Sequence, residues 1–541
     1  MTRDIPPRAA LLLLGGLLLA LTLTALALHI PGALSVGSPT RKNLFVALLA
    51  AAAVTYLLAI RLVRHRPAPT GSVLIVLAVA IAMRLPVVLA PPFLSTDIYR
   101  YVWDGRVQVA GINPYRYLPA DPALQSLRDP TFPLISRATT ARTIYPPVAQ
   151  IVFQTVARIS PTITAMKLTM VGFEAMACWA MLRLLDLARL PRTRVLIYAW
   201  NPLAVWAFAG NGHVDAVAVG LLAVALLLRA TRRDTWVGVA LGAAVLVKFL
   251  PAAVAPALWR RGAAWRMPLV ALATIIGLYS IYIDAGWHVL GFLPGYFGDE
   301  DLTEGTGIWL LAGLGLVIPV TRAMAEVYAV AALACLGTLA AWIAFRPRPS
   351  EANARPAGEF RPDTREIAAP AVGVSRADQP APVARGTVEP ETLVRDTNES
   401  AFEVRDINAP APAAPRICEP PFDVRRVREP PFDVPRICEP PFEVRRICGD
   451  AALLAAAVTV AISPHYPWYF VWLALPCCVC ARWSIIWLSV APVLLYLDPW
   501  HERFLWPCLV YLPAAAFAVH AWWRPAVSRS LDGIEATQGS S

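Results

Sequence analysis

The chain has 541 residues, of which 57% are hydrophobic and 16% are charged, and its formal net charge is +11. Apolar segments long enough to cross a bilayer recur along nearly all of it, which is typical of a polytopic membrane protein. Arginines in short loops supply most of the positive charge, so the charge indicates membrane topology and excludes a nucleic-acid partner.

The apolar segments predict an all-α bundle of about 12–14 transmembrane segments. Arginines after the second segment and after residues 185 and 230 mark those ends as cytoplasmic, which places both termini inside. No cleavable signal peptide is evident before the first segment. The predicted crossings are 10–30, 44–62, 71–90, 163–185, 195–209, 214–230, a broken hairpin at 235–259, 267–283, 323–345, 451–463, 469–481, 484–497 and 505–522.

Two loops are predicted on the outer face, and the first of them follows the third crossing. Thr96 can start a helix and Gly111 can stop one, so we predict a short helix between them. A second short helix is expected at 148–159, lying in the outer leaflet. The second outer loop spans 284–305, and the residues after it, 306–320, are expected to lie along the same leaflet.

One face of the first predicted outer helix is polar. Asp97, Tyr101 and Asp104 recur at helical spacing, and Arg100 lies four residues before Asp104, close enough to pair with it. Two interpretations of Asp97 stay open. It is either an N-cap that stabilises the helix dipole or a catalytic carboxylate at the membrane surface.

Further polar residues lie at the outer ends of other crossings. Asn211, His213 and Asp215 could form a metal pair, a base, substrate hydrogen bonds or only a structural loop. Lys248, taken as the only lysine inside an apolar segment, could bind a phosphate or extend its amine to the membrane surface.

Aromatic residues accompany two predicted outer turns. Tyr145 precedes two prolines that fix a turn at the mouth of the first loop. His465 and Trp468 lie at a helix break, where they could either line a site or belong to the interfacial aromatic belt.

Residues 349–450 differ from the rest of the chain, because they lack Trp and are rich in Pro, Arg, Glu and Asp. Three copies of a ten-residue repeat occupy their second half, RICEPPFDVR, RVREPPFDVP and RICEPPFEVR. Such a composition predicts a disordered cytoplasmic linker, with a docking array as the alternative interpretation. The remaining parts are a membrane region at 1–348, further crossings at 451–525 and a disordered tail at 526–541.

Several of these segments, taken in order, resemble one family. Asp97 followed by IYRYVWDGRVQVAGINPY, then TIYPPVAQ, NPLAVWAFAGNGHVD, LVKFLP and SPHYPWYFVWLALP, are similar to segments of GT-C glycosyltransferases. The most similar members are bacterial polyprenol-phosphate-mannose-dependent mannosyltransferases. The resemblance covers about residues 70–345 and 451–520 and leaves out the linker.

The resemblance implies a GT-C-like bundle that transfers a sugar, expected to be mannose, from polyprenyl phosphate to a lipid-linked or cell-envelope acceptor with inversion. It makes Asp97 the catalytic base. Many members carry two adjacent acids where this chain has Thr96-Asp97, which leaves a divalent metal open. The other residues expected to bind substrate are Arg100, Tyr101, Asp104, Tyr145, Asn211, His213, Asp215, Lys248, His465 and Trp468.

A transporter or flippase of lipid-linked sugars is the alternative, since it would also carry ionisable residues near broken helices. The large ordered loops are predicted on one face, which favours the enzyme. We therefore expect a multi-pass protein of the inner (cytoplasmic) membrane whose active site lies on the outer face.

Overall fold

The computed structural model describes residues 5–28, 39–66, 69, 71–347, 438–497 and 504–538. These residues are organised in helices and contain no strand, which confirms the predicted all-α class. The longer helices are α1 Pro7–Ala27, α2 Pro39–His65, α3 Ser72–Leu89, α4 Asp97–Val109, α5 Pro147–Ile159, α6 Ile163–Leu187, α7 Asp215–Ala230, α8 Asp234–Val245, α9 Arg266–Tyr279, α10 Arg322–Phe345, α11 Pro441–Ile462 and α12 Leu505–Gln538.

Short helical turns connect these helices. Between α4 and α8 they are Pro122–Leu127, Phe132–Leu134, Arg192–Val195, Leu196–Ala199, Pro202–Ala204 and Val205–Gly210. Between α8 and α12 they are Leu250–Val254, Ala255–Leu258, Arg261–Ala263, Ser280–Leu290, Leu293–Asp299, Trp309–Leu314, Pro467–Leu473, Ala474–Cys480, Trp483–Leu488 and Ala491–Tyr496.

Seven helices in the described ranges are long and apolar enough to cross a membrane, and a bent pair raises the number to eight. The chain is therefore a multi-pass membrane protein. The number is lower than the predicted 12–14, because several predicted crossings form short helices interrupted by proline, as at Pro467–Cys480 and Trp483–Tyr496. The seven are Pro7–Ala27, Pro39–His65, Ser72–Leu89, Ile163–Leu187, Arg266–Leu290, Arg322–Phe345 and Leu505–Trp523.

The bent pair, Pro202–Gly210 followed by Asp215–Ala230, turns by 119° and lies in the interior of the protein. A broken helix leaves backbone groups unpaired, and such backbone is tolerated in a membrane only where protein surrounds it. The N–H groups at the break are paired, because those of Asn211, Gly212 and His213 donate to the carbonyls of Trp206, Phe208 and Ala207. Just before the bent pair, the Arg84 guanidinium pairs with Glu174 at 2.7 Å and donates to the Ala199 carbonyl at 2.8 Å. Trp200, fully buried, donates its indole N–H to the Val76 carbonyl.

The two helices predicted in the first outer loop are present as α4 and α5, and they pack against each other. The Tyr101 ring stacks on Phe153 with centroids 4.6 Å apart, and Gln108 donates to the Gln150 side chain at 2.8 Å. The second outer loop contacts this unit. Gly291 has φ +57°, and a Cβ at that position would collide with the Thr143 carbonyl, so only glycine permits the close approach.

The structure describes the chain again from Cys438, which is twelve residues before the linker was predicted to end at residue 450. Glu439 accepts hydrogen bonds from Arg229 at 2.6 Å and Arg232 at 2.8 Å, and α11 begins at Pro441. The last repeat copy therefore belongs to the helical body, because its glutamate neutralises two arginines there. The other two copies lie outside the described residues. At the other end, α12 continues to Gln538, past residue 526 where a disordered tail was predicted.

The anchoring of Glu439 predicts different outcomes for two deletions. Removing 352–435 keeps the glutamate, and we expect unchanged thermal stability of the purified protein. Removing 352–447 takes Glu439 away and leaves Arg229, whose side chain is 1% exposed, without that partner. Stability should then fall by about 3–5 kcal/mol, measured as a lower unfolding midpoint.

The control is Glu439→Gln in the shorter deletion, which removes one charge and leaves α11 intact. Equal midpoints for all three proteins would mean that the glutamate does not anchor α11.

Candidate active site

A cavity of about 820 Å³ lies between the two outer loops and the C-terminal helices. Its wall combines carboxylates, arginines, one lysine and several aromatic rings. The lining residues come from 93–100, 136–146, 247–253, 292–302 and 458–469. Segments far apart in the chain therefore meet at one concave, mixed polar and apolar space, which is the usual form of a small-molecule site.

Asp97 lines this cavity as the first residue of α4. Thr96, and not Asp97, occupies the N-cap position, and the Thr96 side chain makes no cap hydrogen bond. The Asp97 side chain is one-third exposed, and its Oδ2 lies 3.6 Å from Nδ1 of His213. The carboxylate is thus turned toward the cavity and not toward the helix end.

Burial raises the pKa of Asp97 to about 6, although the positive charge of Lys248 opposes the shift. The nearby Asp215 carboxylate raises the pKa further, and Arg137 lowers it. A carboxylate with such a pKa is mostly ionised at neutral pH yet accepts a proton more readily than an ordinary one, which suits a general base.

Lys248 lines the cavity and is neutralised by a carboxylate. Its Nζ lies 2.8 Å from Asp215 and 3.8 Å from the centre of the Tyr469 ring. The side chains of Lys248 and Asp215 are only 17% and 11% exposed. Lys248 therefore does not extend to the membrane surface, and its donors point to partners in the wall.

The sequence prediction took Lys248 as the only lysine in an apolar segment, and this was wrong. Lys167 lies within α6, fully buried, and its Nζ donates to the carbonyls of Val87, Val88 and Ala90. These carbonyls end α3, where a helix carries partial negative charge. Lys167 falls within the predicted crossing 163–185, so the sequence already placed it in an apolar segment, whereas its backbone partners are visible only in the structure.

Asn211 and His213 lie behind the cavity wall. Asn211 accepts hydrogen bonds from the backbone N–H groups of Phe93 and Leu94 at 3.0 and 3.1 Å. It therefore positions the segment before Asp97 and does not face substrate. His213 is fully buried and stacks on Trp468 with ring centroids 3.9 Å apart.

A zinc site does not fit these residues. Within the described ranges no group of three or more His, Cys, Asp and Glu side chains is placed to hold a metal ion. Asp97 and His213 would supply two ligands at most, fewer than the three or four that protein zinc sites provide. We derive no step through a metal.

Packing against α5 covers part of the predicted polar face of α4 and leaves another part facing the cavity. Arg100 lines the cavity, pairs with Asp104 at 2.8 Å as predicted, and donates to the Ala141 carbonyl. Asp104 and Tyr101 are each 1% exposed because α5 covers them, and Gln150 donates to the second Asp104 oxygen. These two residues support α4 and do not line the cavity, and their contact with substrate stays a prediction.

Some of the remaining predicted residues line the cavity, and others lie behind its wall. Tyr145 and Trp468 line the cavity, and Tyr145 contacts the Tyr101 ring edge-on. His465 is buried behind it, and Asp215 borders a smaller adjoining pocket.

Several lining residues were not predicted as site residues. Arg137, Arg142, Tyr296, Glu300, Tyr466 and Tyr469 all reach the cavity. They come from loops and short helical turns that are far apart in the chain, so their convergence is visible only in the structure. Enrichment of the outer loops in Arg and Tyr was the one signal available.

A comparison with known families bears on this site. Residues 9–276 match the family model described as alpha-(1->6)-mannopyranosyltransferase, N-terminal domain. These residues belong to that mannosyltransferase family. The match confirms the resemblance stated above. No curated protein and no solved structure shows significant similarity to the chain.

The mannosyltransferase match includes some cavity residues and leaves out others. Asp97, Arg137 and Lys248 fall within residues 9–276, whereas Glu300 and Trp468 lie beyond them. The N-terminal part therefore supplies the carboxylate and the cations, and the C-terminal part completes the aromatic wall.

The raised pKa of Asp97 predicts a pH dependence for the mannosyltransferase. A base must be ionised, so kcat/KM should fall about tenfold per pH unit below pH 6 and level off above it. Asp215→Asn removes a neighbouring negative charge and should move this acid limb to lower pH. Lys248→Met removes a positive charge and should move it to higher pH.

The check is the pH profile of kcat/KM for the three proteins. Shifts in the same direction for both variants, or none, would show that Asp97 is not the group being titrated.

Proposed function

We propose that this mannosyltransferase takes mannose from polyprenyl phosphomannose and adds it to a hydroxyl of a lipid-linked or cell-envelope mannoside, with inversion. The observation that carries the proposal is the Asp97 carboxylate, which lines a cavity of about 820 Å³ beside Lys248. Family membership supports transfer over transport, so we favour the enzyme over the flippase alternative.

Asp97 would act as the general base. It takes the proton of the acceptor hydroxyl as that oxygen forms a bond to the anomeric carbon. The bond between the anomeric carbon and the phosphate oxygen breaks on the opposite side, and its electron pair leaves with polyprenyl phosphate. An α-(1→6) product, as the family description states, then requires a donor whose phosphate is β-linked.

Cations in the wall would stabilise the leaving phosphate. The Lys248 ammonium is paired with Asp215 at 2.8 Å, so the pair as a whole adds little net charge, and we assign Lys248 one charge-assisted hydrogen bond to the phosphate. Arg137 and Arg142 also line the cavity and supply positive charge. Arginine matches phosphate geometry well because its planar fork can donate two parallel hydrogen bonds.

The polyprenyl chain would follow the apolar side of the cavity. Leu250, Ala253, Val458 and Ile462 line it there, and Ile462 ends α11. The donor would enter from the outer leaflet, and the aromatic rings of Tyr145 and Trp468 would contact sugar rings. This arrangement supports an active site on the outer face with both termini in the cytoplasm.

Two carboxylate variants separate a base from a structural residue. Asp97→Asn keeps the size of the side chain and cannot accept a proton at neutral pH, so transfer should drop about a hundredfold or more at unchanged stability. Asp104→Asn weakens a buried pair with Arg100 and should lower the unfolding midpoint more than the turnover of folded enzyme.

Both are measured with labelled polyprenyl phosphomannose and purified protein. Near-normal transfer by Asp97→Asn, with none by Asp104→Asn, would assign the base to Asp104. Normal transfer by both would remove the first outer loop from the active site and favour the flippase.

Lys248→Met tests the phosphate contact. Loss of a charge-assisted hydrogen bond of about 1.5–3 kcal/mol should raise the donor KM by about ten- to a hundredfold. This variant also leaves Asp215 unpaired, so the control is Lys248→Met combined with Asp215→Asn. A donor KM that returns to normal in the double variant would show that Lys248 only neutralises Asp215.

A further inference from the structure

Glu300 brings a second carboxylate to the cavity wall, on the second outer loop and beyond the range of the family match. We propose that Glu300, positioned by His465, binds hydroxyl groups of the acceptor sugar. This inference rests on the proposed transfer reaction and adds the acceptor side of the same site.

The loop that carries Glu300 is tightly folded. The helical turn Leu293–Asp299 ends just before Glu300, and the N–H groups of Gly305 and Gly307 both donate to the Asp301 carbonyl, at 3.0 and 3.1 Å. A Cβ on Gly307 would collide with the Glu300 carbonyl. The backbone of 300–307 thus closes on itself and fixes where the carboxylate begins.

His465 contacts this loop through both ring nitrogens. Nε2 lies 3.0 Å from the Gly307 carbonyl, and Nδ1 lies 3.5 Å from Oε2 of Glu300. A carbonyl can only accept, so Nε2 carries a hydrogen and a neutral ring would turn a lone pair toward the carboxylate. His465 Nδ1 and the Glu300 carboxylate therefore face each other inside the protein, where their side chains are 3% and 7% exposed.

The charges in the cavity decide which substrate this carboxylate suits. A carboxylate repels the phosphate of the donor, for which Lys248, Arg137 and Arg142 provide the opposite charge. An acceptor sugar is neutral and rich in hydroxyl groups, and each carboxylate oxygen can accept a hydrogen bond from one of them. Glu300 therefore fits the acceptor and not the donor.

Aromatic side chains in the same wall complete a sugar site. The hydroxyl groups of Tyr296 and Tyr469 are 2.9 Å apart, and the Tyr466 ring stacks on Trp468 with centroids 4.7 Å apart. All four line the cavity with Glu300. Ring faces pack against the apolar C–H face of a sugar while polar groups bind its hydroxyls.

The experiment uses the full chain, labelled polyprenyl phosphomannose as donor, and synthetic octyl α-(1→6)-dimannoside as acceptor. Glu300→Gln keeps the shape and removes the charge. Its acceptor KM should rise about ten- to a hundredfold, while the donor KM and the slow hydrolysis of donor without acceptor stay unchanged. Asp97→Asn is the contrast, because it should abolish both transfer and hydrolysis.

His465→Gln tests the positioning role. The amide can still donate to the Gly307 carbonyl, but it no longer faces Glu300 with a ring nitrogen. We expect a severalfold higher acceptor KM at nearly normal kcat, whereas a merely structural role would lower the amount of active enzyme and leave KM unchanged. Glu300→Asp, which retains the carboxylate, replaces Glu300→Gln if the latter does not fold.

Direct titration of each protein with octyl dimannoside separates this inference from the proposed function. A wild type that binds the dimannoside but transfers no mannose would overturn the function and leave the acceptor site standing if Glu300→Gln weakens binding. Unchanged dimannoside binding by Glu300→Gln, or a raised donor KM, overturns the assignment of Glu300 even when the wild type transfers mannose.

Discussion

Lys167 holds the end of α3, and the position of the candidate base follows from that contact. The last carbonyls of a helix have no intrahelical partner, and the interior of a membrane protein offers them little water. The Lys167 ammonium lies 3.2 and 3.3 Å from two of them, at Val87 and Val88. Asn211 then binds the next residues, 93 and 94, so the chain enters α4 from a fixed point.

The contact of Asn211 with residues 93 and 94 also gives a role to the break between Pro202–Gly210 and α7. Asn211 lies between the two halves of the bent pair, and it can reach Phe93 only because the helix is interrupted there. A continuous span would use the backbone around Asn211 for its own hydrogen bonds and would carry Asp215 elsewhere. Since Asp215 pairs with Lys248, the break also places the two charges that act on Asp97, whose pKa is raised mainly by burial.

Local features of the site could be predicted from the sequence, and distant ones could not. The α4 helix and the Arg100–Asp104 pair depend on residues within one or two turns, so spacing was sufficient. Whether Tyr101 faces substrate depends on where α5 packs, and spacing along α4 carries no information about that. Glu300 and His465 are separated by a long stretch of chain, including the linker, so only the folded structure brings them together.

The residues that flank the linker are held by ion pairs whose members do not line the cavity. Arg346, before the linker, pairs with Asp450 after it, and Glu439 pairs with Arg229 and Arg232. These ion pairs hold the two ends of the linker on the helical body. The entropic free-energy cost of closing a loop rises by only about 0.6 kcal/mol for each doubling of the loop's length. An added repeat of ten residues therefore costs little, and the cavity residues, held by the contacts of Lys167, Asn211 and His465, do not depend on it.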